Sequence, residues 1–469
     1  MIRTITFCLA LAALGPTQNA EWSTHRGGAA RTGNIDGKPG PMKTPKVLWT
    51  HKAAEQFVAS LVASGDRLYL PALGAFNSGA IHSLDLAEKA EKRISWSKSA
   101  PHLRVPSVCA PALSEGKLVL GEGMHQTDGA GLLCLRATDG RALWRLNVSG
   151  DLVHLEGSPT IAGGRVYVGA GSGGVLCVDL NKVTLEGKDV TLAEAEAKND
   201  AKWKVLLAAY EADKKKDPDF AIPPNELSLP QTAPKVAWEQ GKGAWHVDGP
   251  TAVVDGRVLA GSAFLDVEKK GERVLACMNA EDGKLLWKTP LKYNPWGGPT
   301  VAGGRVFVSC SSIRYDPQQV SGARGEIVAL KLADGSVEWR REIDAGVLGS
   351  VAVAGDLAIF TDTAGRVQAL DAKTGTPRWT APGTTPFFAA AVLSKDAVYV
   401  VDLKGGIQAL GLADGKQIWK LDLAAATGQV GMVYGSPALH RGCLYVATTN
   451  LEGEGAGKPT LVACIGAGE

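Results

Sequence analysis

Two short segments of the sequence combine an imidazole and a carboxylate at the same spacing. VHLEG places His154 two residues before Glu156, and WHVDG places His246 two residues before Asp248. Imidazole nitrogens and carboxylate oxygens both donate lone pairs at neutral pH, so two such segments brought together could bind a divalent metal ion. The sequence offers no further ligand, and polar packing between loops explains the same residues. We therefore assign no metal site and keep the four residues as candidates for a ligand or partner surface.

A repeated phrase indicates the elements that must position these residues. Its clearest copy, GRVQALDAKTGTPRW, runs from Gly365 to Trp379 and is typical of two short strands joined by a glycine-containing turn. Each copy ends on a tryptophan, and a second predicted hairpin precedes it. The repeat tryptophans are Trp49, Trp96, Trp144, Trp238, Trp287, Trp339, Trp379 and Trp419. Repeats of ~40–50 residues built from paired short strands indicate propeller blades or a solenoid.

The two ends of the chain favour a closed ring over an open stack. Leu461 to Ile465 is typical of a third strand with no fourth strand after it, and Val47 to Trp49 is typical of a fourth strand with no third strand before it. Each end completes the other if the ring closes, which leaves only short, protected strand edges. We predict an all-β, eight-bladed β-propeller of four-stranded antiparallel blades, with a composite closing blade and one helical insertion.

The phrase ALDAKTGTPRW resembles the repeat of the pyrroloquinoline-quinone (PQQ)-like β-propeller family. That family includes quinoprotein dehydrogenases and the outer-membrane assembly lipoprotein BamB. The opening WSTHRGGAARTG, from Trp22 to Gly33, is similar to the start of secreted members with no assigned function. The resemblance covers residues 47–469 and implies the propeller fold. It does not fix an activity, because one fold hosts unrelated functions.

The predicted blade order places the candidate residues on one face. With strands A to D in each blade, the A–B and C–D turns lie on one face and the longer B–C and D–A loops on the other. The aromatic residues of these longer loops that are not repeat tryptophans are Trp245, Tyr293, Trp296, Tyr315 and Tyr434. Aromatic side chains at a funnel mouth are candidates for a ligand or peptide surface. The alternative is that they plug the funnel or pack the loops together.

An insertion at residues 181–234 takes the place of one C–D turn. Thr191 followed by Glu194 forms a capping-box pattern, and residues 192–216 are predicted to form one helix. Trp203, Leu206, Leu207 and Tyr210 lie on one stripe of that helix. We expect the stripe to pack on the parent propeller, on the face opposite the long loops. The alternative is that the stripe docks a partner.

The first 46 residues have a different character from the propeller. Residues 1–20 are typical of a secretory signal peptide, with Arg3 before the apolar run from Ile5 to Leu14. Residues 21–46 are rich in glycine and proline and are predicted to form an extended N-terminal arm. No other stretch is long and apolar enough to span a membrane. We therefore expect an exported monomer in the periplasm or outside the cell.

Composition and missing motifs favour a binding protein over an enzyme. Lysine plus arginine total 50 and aspartate plus glutamate 48, so nothing indicates nucleic-acid binding. The chain has no adjacent cysteine pair and no CxxCH segment. We expect no catalytic residue, no cofactor and an envelope protein or peptide as partner, hence a non-catalytic scaffold that binds protein or ligand. The alternative is a PQQ-dependent quinoprotein dehydrogenase with Ca²⁺.

Overall fold

Each sequence repeat forms one antiparallel sheet, because its short apolar strands are separated by turns rich in glycine and aspartate. The computed structural model describes residues 21–34, 38–74, 78–125, 127, 129–383 and 385–468. The sheets form the eight blades of a propeller, as predicted. The predicted signal peptide lies outside the described residues.

The strands are numbered in chain order, and the first strand of each blade is innermost. Blade 1 contains β2 (Val62–Ser64), β3 (Arg67–Leu73), β4 (Gly79–Asp85) and β5 (Ile94–Lys98), and blade 2 contains β6 (Ala112–Ser114), β7 (Lys117–Glu122), β8 (Ala130–Arg136) and β9 (Ala142–Val148). Blade 3 contains β10 (Thr160–Ala162), β11 (Arg165–Gly169), β12 (Val175–Leu185), β13 (Lys188–Thr191) and β14 (Thr232–Gln240). Blade 4 contains β15 (Ala252–Val254), β16 (Arg257–Leu265), β17 (Lys270–Asn279) and β18 (Leu285–Pro290). Blade 5 contains β19 (Pro299–Ala302), β20 (Arg305–Ser311), β21 (Gly325–Lys331) and β22 (Val337–Ile343), and blade 6 contains β23 (Ala352–Ala354), β24 (Leu357–Thr361), β25 (Arg366–Asp371) and β26 (Pro377–Pro382). Blade 7 contains β27 (Val392–Leu393), β28 (Ala397–Val401), β29 (Gly406–Gly411) and β30 (Gln417–Asp422). Blade 8 contains β31 (Ala438–His440), β32 (Cys443–Ala447) and β33 (Thr460–Ala467), together with β1 (Pro45–Ala53) from the start of the chain. The helices are α1 (Leu192–Lys216) and α2 (Leu423–Thr427), with 3-10 turns at Ala90–Lys92, Glu226–Ser228, Pro317–Gln319 and Gly453–Gly455.

The closing blade joins the two ends of the chain. Strand β1 pairs antiparallel with β33, with Val47 opposite Ile465 and Trp49 opposite Cys464. This confirms the predicted composite blade. Residues of β33 and β1 then share one apolar cluster with blades 1 and 7, so the ring is continuous across the junction.

The repeat tryptophans connect neighbouring blades. The indole N–H of Trp379 in blade 6 donates to the carbonyl of Leu412 in blade 7, at 3.1 Å. The same bond recurs around the ring, as in Trp96 to the carbonyl of Ala137 at 3.0 Å. Trp144, Trp238 and Trp419 are buried and the other repeat tryptophans are partly buried. A fixed aromatic position therefore fastens each of blades 1 to 6 to the next, whereas the indole N–H of Trp419 in blade 7 donates to the carbonyl of Pro41 in the arm, at 2.7 Å.

The segment predicted as an arm begins inside the ring, along the innermost strands. Its backbone carbonyls accept hydrogen bonds from six blades: Trp22 from Ala63, Ser23 from Leu113, Ala29 from Val253, Ala30 from Val301, Thr32 from Val353 and Gly33 from Leu393. Two arginines anchor it further. Arg26 donates to the carbonyl of Ala391, and Arg31 donates to the carbonyl of Pro159 at 2.8 Å. The arm thus satisfies backbone N–H groups of strand edges that would otherwise face the channel.

The insertion forms the predicted helix with the predicted capping box at Thr191. Its first turns bury Leu192 and Ala195, and Glu196 pairs with Arg136 of blade 2 at 3.1 Å. Burial fades along the same stripe, so that Trp203 is only partly buried. Leu206 and Tyr210 are partly buried as well, whereas Leu207 is exposed. The expected inward packing is therefore complete at the start of the helix and only partial along the stripe. No helix within the described ranges is both long and apolar enough to cross a bilayer.

Candidate functional site

The two imidazole–carboxylate segments meet because glycines let their loops touch. His154 and Glu156 lie in the loop between β9 and β10, and the second pair lies in the loop between β14 and β15. A Cβ atom added at Gly157 would lie 2.6 Å from the carbonyl oxygen of Gly249. Only residues without a side chain allow this approach.

Asp248 bridges the two histidines at the centre of the site. Its carboxylate lies 2.9 Å from Nε2 of His154 and 3.0 Å from Nε2 of His246. Both imidazoles are buried, with 1% and 0% of their residue surface exposed. Ser172 lies 3.2 Å from Nδ1 of His246 and fixes the orientation of that ring. The structure therefore brings together residues from the two segments in which the sequence repeats a histidine and a carboxylate at the same spacing, in consecutive blades.

A third histidine, for which the sequence gives no repeated pattern, joins this cluster. His125 lies in the loop between β7 and β8, with its ring centroid 5.4 Å from that of His154 and 6.0 Å from that of His246. Its backbone N–H donates to Glu156 at 2.7 Å, and its Nε2 lies 3.0 Å from Glu268. The only available signal was its position in a B–C loop on the predicted face, since a single histidine has no spacing to recognise.

The local charges favour an ionised Asp248. Burial works against this charge, but hydrogen bonds from His154 and His246 outweigh it and hold the pKa of Asp248 well below its usual range. Burial by itself would lower the pKa of His154. The hydrogen bond to Asp248 and the charge of that carboxylate outweigh burial, so the pKa of His154 is raised. For Glu156, burial and then the nearby charge of Asp248 raise the pKa. The cluster is thus a strongly coupled set of charges.

The cluster forms part of the wall of a cavity of about 580 Å³ on the face of the long loops. Trp296, Tyr315 and Tyr434 line this cavity, together with Phe388. The Phe388 ring makes edge contacts with both tyrosines, at centroid distances of 6.0 and 5.3 Å. These aromatic residues make part of the cavity wall apolar.

Two of the candidate aromatic residues lie elsewhere. Trp245 is buried, and a Cβ atom at Gly241 would lie 2.1 Å from its ring. Tyr293 packs against the apolar cluster between blades 4 and 5. Neither residue lines the cavity. For this pair the loop-packing alternative describes the structure.

The cavity has a floor made in part by the arm. His25 lines it, between the two buried arginines of the arm. Its Nδ1 atom is buried and has no hydrogen-bond partner. The pKa of His25 lies well below its usual range because of burial first, and then because of the charges of Arg31 and Arg26.

Comparisons with known proteins agree on one family. A family model described as outer membrane protein assembly factor BamB matches residues 42–197, 230–312 and 316–465. BamB of Salmonella typhimurium is 24% identical over 273 residues, which is 55% of this chain and 63% of that protein. BamB of Escherichia coli K12 is 25% identical with the same coverage. The matched region is therefore less than two thirds of the length of these relatives.

Solved structures share the fold at low identity. BamB of Moraxella catarrhalis is 14% identical, with a TM-score of 0.58, over 90% of this chain and 98% of that chain. A europium-containing methanol dehydrogenase is 14% identical, with a TM-score of 0.64, over 96% and 98%. A quinohemoprotein alcohol dehydrogenase of Comamonas testosteroni is 12% identical, with a TM-score of 0.62, over 96% and 81%. At these identities the likeness shows the fold alone.

Proposed function

Because the chain belongs to the family described as outer membrane protein assembly factor BamB, we propose that it is an exported, non-catalytic scaffold of the cell envelope. Its partner is a protein or peptide that binds the face of the long loops. The observation that carries this proposal is the family match over most of the propeller. The signal-like composition of residues 1–20 supports export.

The cavity on that face supports a binding role. Aromatic side chains supply large apolar contact areas at low entropic cost, and they are enriched at protein interfaces. Tyr315 has 41% of its surface exposed, and Leu451 at the cavity rim has 58%. The structure therefore presents apolar contacts to solvent on the same face that carries the cavity.

The charges of the cavity argue against a quinone cofactor. PQQ carries several carboxylates, so its site needs a surplus of cationic groups. The described lining has carboxylates at Glu156, Asp248, Asp316 and Glu452, and its one arginine is Arg314. This lining does not fit the cofactor of the dehydrogenases that share the fold, which supports a non-catalytic role.

Site-specific photo-crosslinking tests which face binds the partner. A photoreactive phenylalanine analogue replaces Leu451 at the cavity rim in one variant. In the matched control it replaces Lys373, in the C–D turn of blade 6 on the opposite face. We expect adducts with envelope proteins from position 451, fewer adducts when Tyr315→Ala is added, and none from position 373. Equal labelling from both faces, or no adduct from position 451, would contradict the proposal.

The non-catalytic part has a separate test. The purified protein is mixed with PQQ and Ca²⁺ and assayed for dye-linked oxidation of alcohols and sugars. We expect neither stoichiometric PQQ binding nor turnover. Substrate oxidation that depends on added PQQ would show the alternative, a quinoprotein dehydrogenase.

A further inference from the structure

We propose that His125, His154 and His246, together with Asp248, form a binding site for a divalent transition metal, with zinc as the best fit. The ligating atoms of the three histidines lie within 4.8 Å of one another. Those of His154 and Asp248 lie equally close in a second group, with Glu156. The proposal is independent of the identity of any protein partner.

The choice of zinc follows from the donor atoms. Three imidazoles and a carboxylate suit zinc and its neighbours in the first transition series, whereas Ca²⁺ and Mg²⁺ prefer sites made of oxygen atoms alone. Zinc–nitrogen bonds are about 2.0–2.1 Å long, so ligands in a tetrahedral site lie roughly 3.4 Å apart. Binding therefore requires the imidazole nitrogens, which lie within 4.8 Å of one another, to move closer together, with the metal replacing the hydrogen bonds between Asp248 and the two buried histidines.

The loops that carry the ligands are fixed by contacts of their own. His246 and Asp248 flank Val247, whose N–H donates to the carbonyl of Gly171 at 3.0 Å and whose carbonyl accepts from the N–H of Gly171 at 3.1 Å. The backbone of His125 is held by Glu156. A site whose ligands are fixed before binding loses little conformational entropy when the metal enters.

Outer contacts of the kind that orient metal ligands are also in place. Ser172 hydrogen-bonds the nitrogen of His246 that faces away from Asp248. Such partners set the tautomer and direction of a ligating imidazole. A Cβ atom at Gly171 would lie 3.0 Å from Cε1 of His154, so the glycine leaves room for that ring.

The charge around the cluster calls for a cation. Glu156, Asp248 and Glu268 place three carboxylates beside the histidines. Oε2 of Glu268 accepts no hydrogen bond. Nη2 of Arg314 lies 3.9 Å from this oxygen, which is too far for one. A divalent ion between the imidazoles would neutralise carboxylates that are partly withdrawn from water.

The site has access to solvent. His125, Glu156 and Asp248 line the cavity, whereas His154 and His246 approach from the buried side. A metal ion can therefore enter from the cavity and be held from behind. No opening of the propeller is needed for loading.

Metal titration of the full exported protein tests the proposal. The protein is stripped with a chelator, kept reduced and titrated with Zn²⁺ in a calorimeter. We expect one equivalent to bind and the thermal midpoint to rise with zinc concentration, because a ligand of the folded state stabilises it. Co²⁺ in place of zinc should give visible d–d absorption without a near-ultraviolet thiolate band, which separates histidine from cysteine ligation.

Histidine variants with a matched control locate the site. His125→Gln, His154→Gln and His246→Gln should each weaken zinc binding at least ~10-fold, and Ser172→Ala should weaken it by about 10-fold through ring orientation. His102→Gln changes a partly exposed histidine on the same face, outside the cluster, and should leave binding unchanged. His125 is partly exposed, so its variant tests the site even if a buried histidine variant fails to fold. Absence of stoichiometric binding, or equal affinity in His125→Gln and His102→Gln, would overturn the proposal.

Discussion

At the scale of single residues, the contact between a turn glycine and the tryptophan of the preceding blade explains why the two recur together. A Cβ atom at Gly415 in blade 7 would lie 2.5 Å from the ring of Trp379 in blade 6, and one at Gly375 would lie 2.6 Å from Trp339. These glycines also have a φ of +69°, which side-chain-bearing residues rarely adopt. Each turn therefore requires glycine for two reasons. Its backbone adopts a positive φ, and the indole of the preceding blade occupies the space that a Cβ atom would fill.

Replacing such a glycine should cost more stability than its backbone angle alone explains. Gly415→Ala meets both penalties, whereas Gly355→Ala has a φ of +58° but no atom within 4 Å of the added Cβ. We expect the control to lose ~1 kcal/mol of unfolding free energy and Gly415→Ala to lose a further ~1–3 kcal/mol. Guanidinium titration of both variants measures the difference. Equal losses would mean that the indole contact contributes nothing.

The imidazole of His25, whose Nδ1 atom is buried without a hydrogen-bond partner, should make stability depend on pH. Its folded pKa lies below the ordinary value of about 6.5, so in weak acid the unfolded chain binds a proton that the folded chain does not. Stability should therefore fall as pH drops below about 6.5, by up to ~1.4 kcal/mol per pH unit from this group. Urea titrations between about pH 7 and pH 5 should show a weaker dependence in His25→Gln. An identical pH dependence in both proteins would contradict the prediction.

Part of the candidate site could be predicted from the sequence, and there is a physical reason why the rest of the site could not. His154 and Asp248 were recognisable because a histidine, a spacer and a carboxylate recur in two consecutive blades. His125 comes from a loop with no such pattern, and only the ring geometry brings it to the other two. Contacts made across blades leave no spacing in the chain.

At the scale of elements, the insertion shows what local signals can and cannot determine. The capping box at Thr191 and the helical composition fix the bounds of α1, which agree with the prediction. The depth of burial depends on where the neighbouring sheet ends. Val205 and Leu207 are therefore exposed on a helix whose first turns are packed.

Removing the insertion should leave the propeller intact. Leu185 of β12 lies opposite Thr232 of β14, so a two-residue Asn-Gly turn can replace residues 186–231 without changing the register. We expect the shortened protein to fold and to lose roughly 2–3 kcal/mol, mainly from the burial of Leu192. Circular dichroism and denaturant titration measure this. Loss of the folded ring would show that the insertion is part of the core of blade 3.

At the scale of the whole molecule, the number of blades and the closure followed from the sequence, because both rest on a repeat with a fixed spacing. The orphan strands at Val47 and Leu461 specified where the ring closes. The path of the arm did not follow in the same way. Its glycine-rich residues have no regular spacing, and their carbonyls accept hydrogen bonds from blades distant in sequence, as that of Thr32 does from the N–H of Val353.

Two truncations should separate the stabilising roles of the arm and the closing strand. A chain that starts at residue 35 keeps β1 but loses the carbonyls that accept from the inner strands of six blades. It should still form the ring, with a lower thermal midpoint, because the freed N–H groups can bond to water in the channel. A chain that starts at residue 54 also loses β1, so β33 becomes an unpaired edge and the apolar cluster shared by blades 7, 8 and 1 opens.

Ring closure predicts that the second truncation is far more severe than the first. Each blade packs on both neighbours, so opening one junction removes support from the whole circle, and the shorter chain should be unfolded or aggregated. The thermal transition of the protein that starts at residue 35 should remain single and cooperative. If the protein that starts at residue 54 melts like the longer one, β1 does not close the ring. If the protein that starts at residue 35 is already unfolded, the arm and not the closing strand holds the blades together.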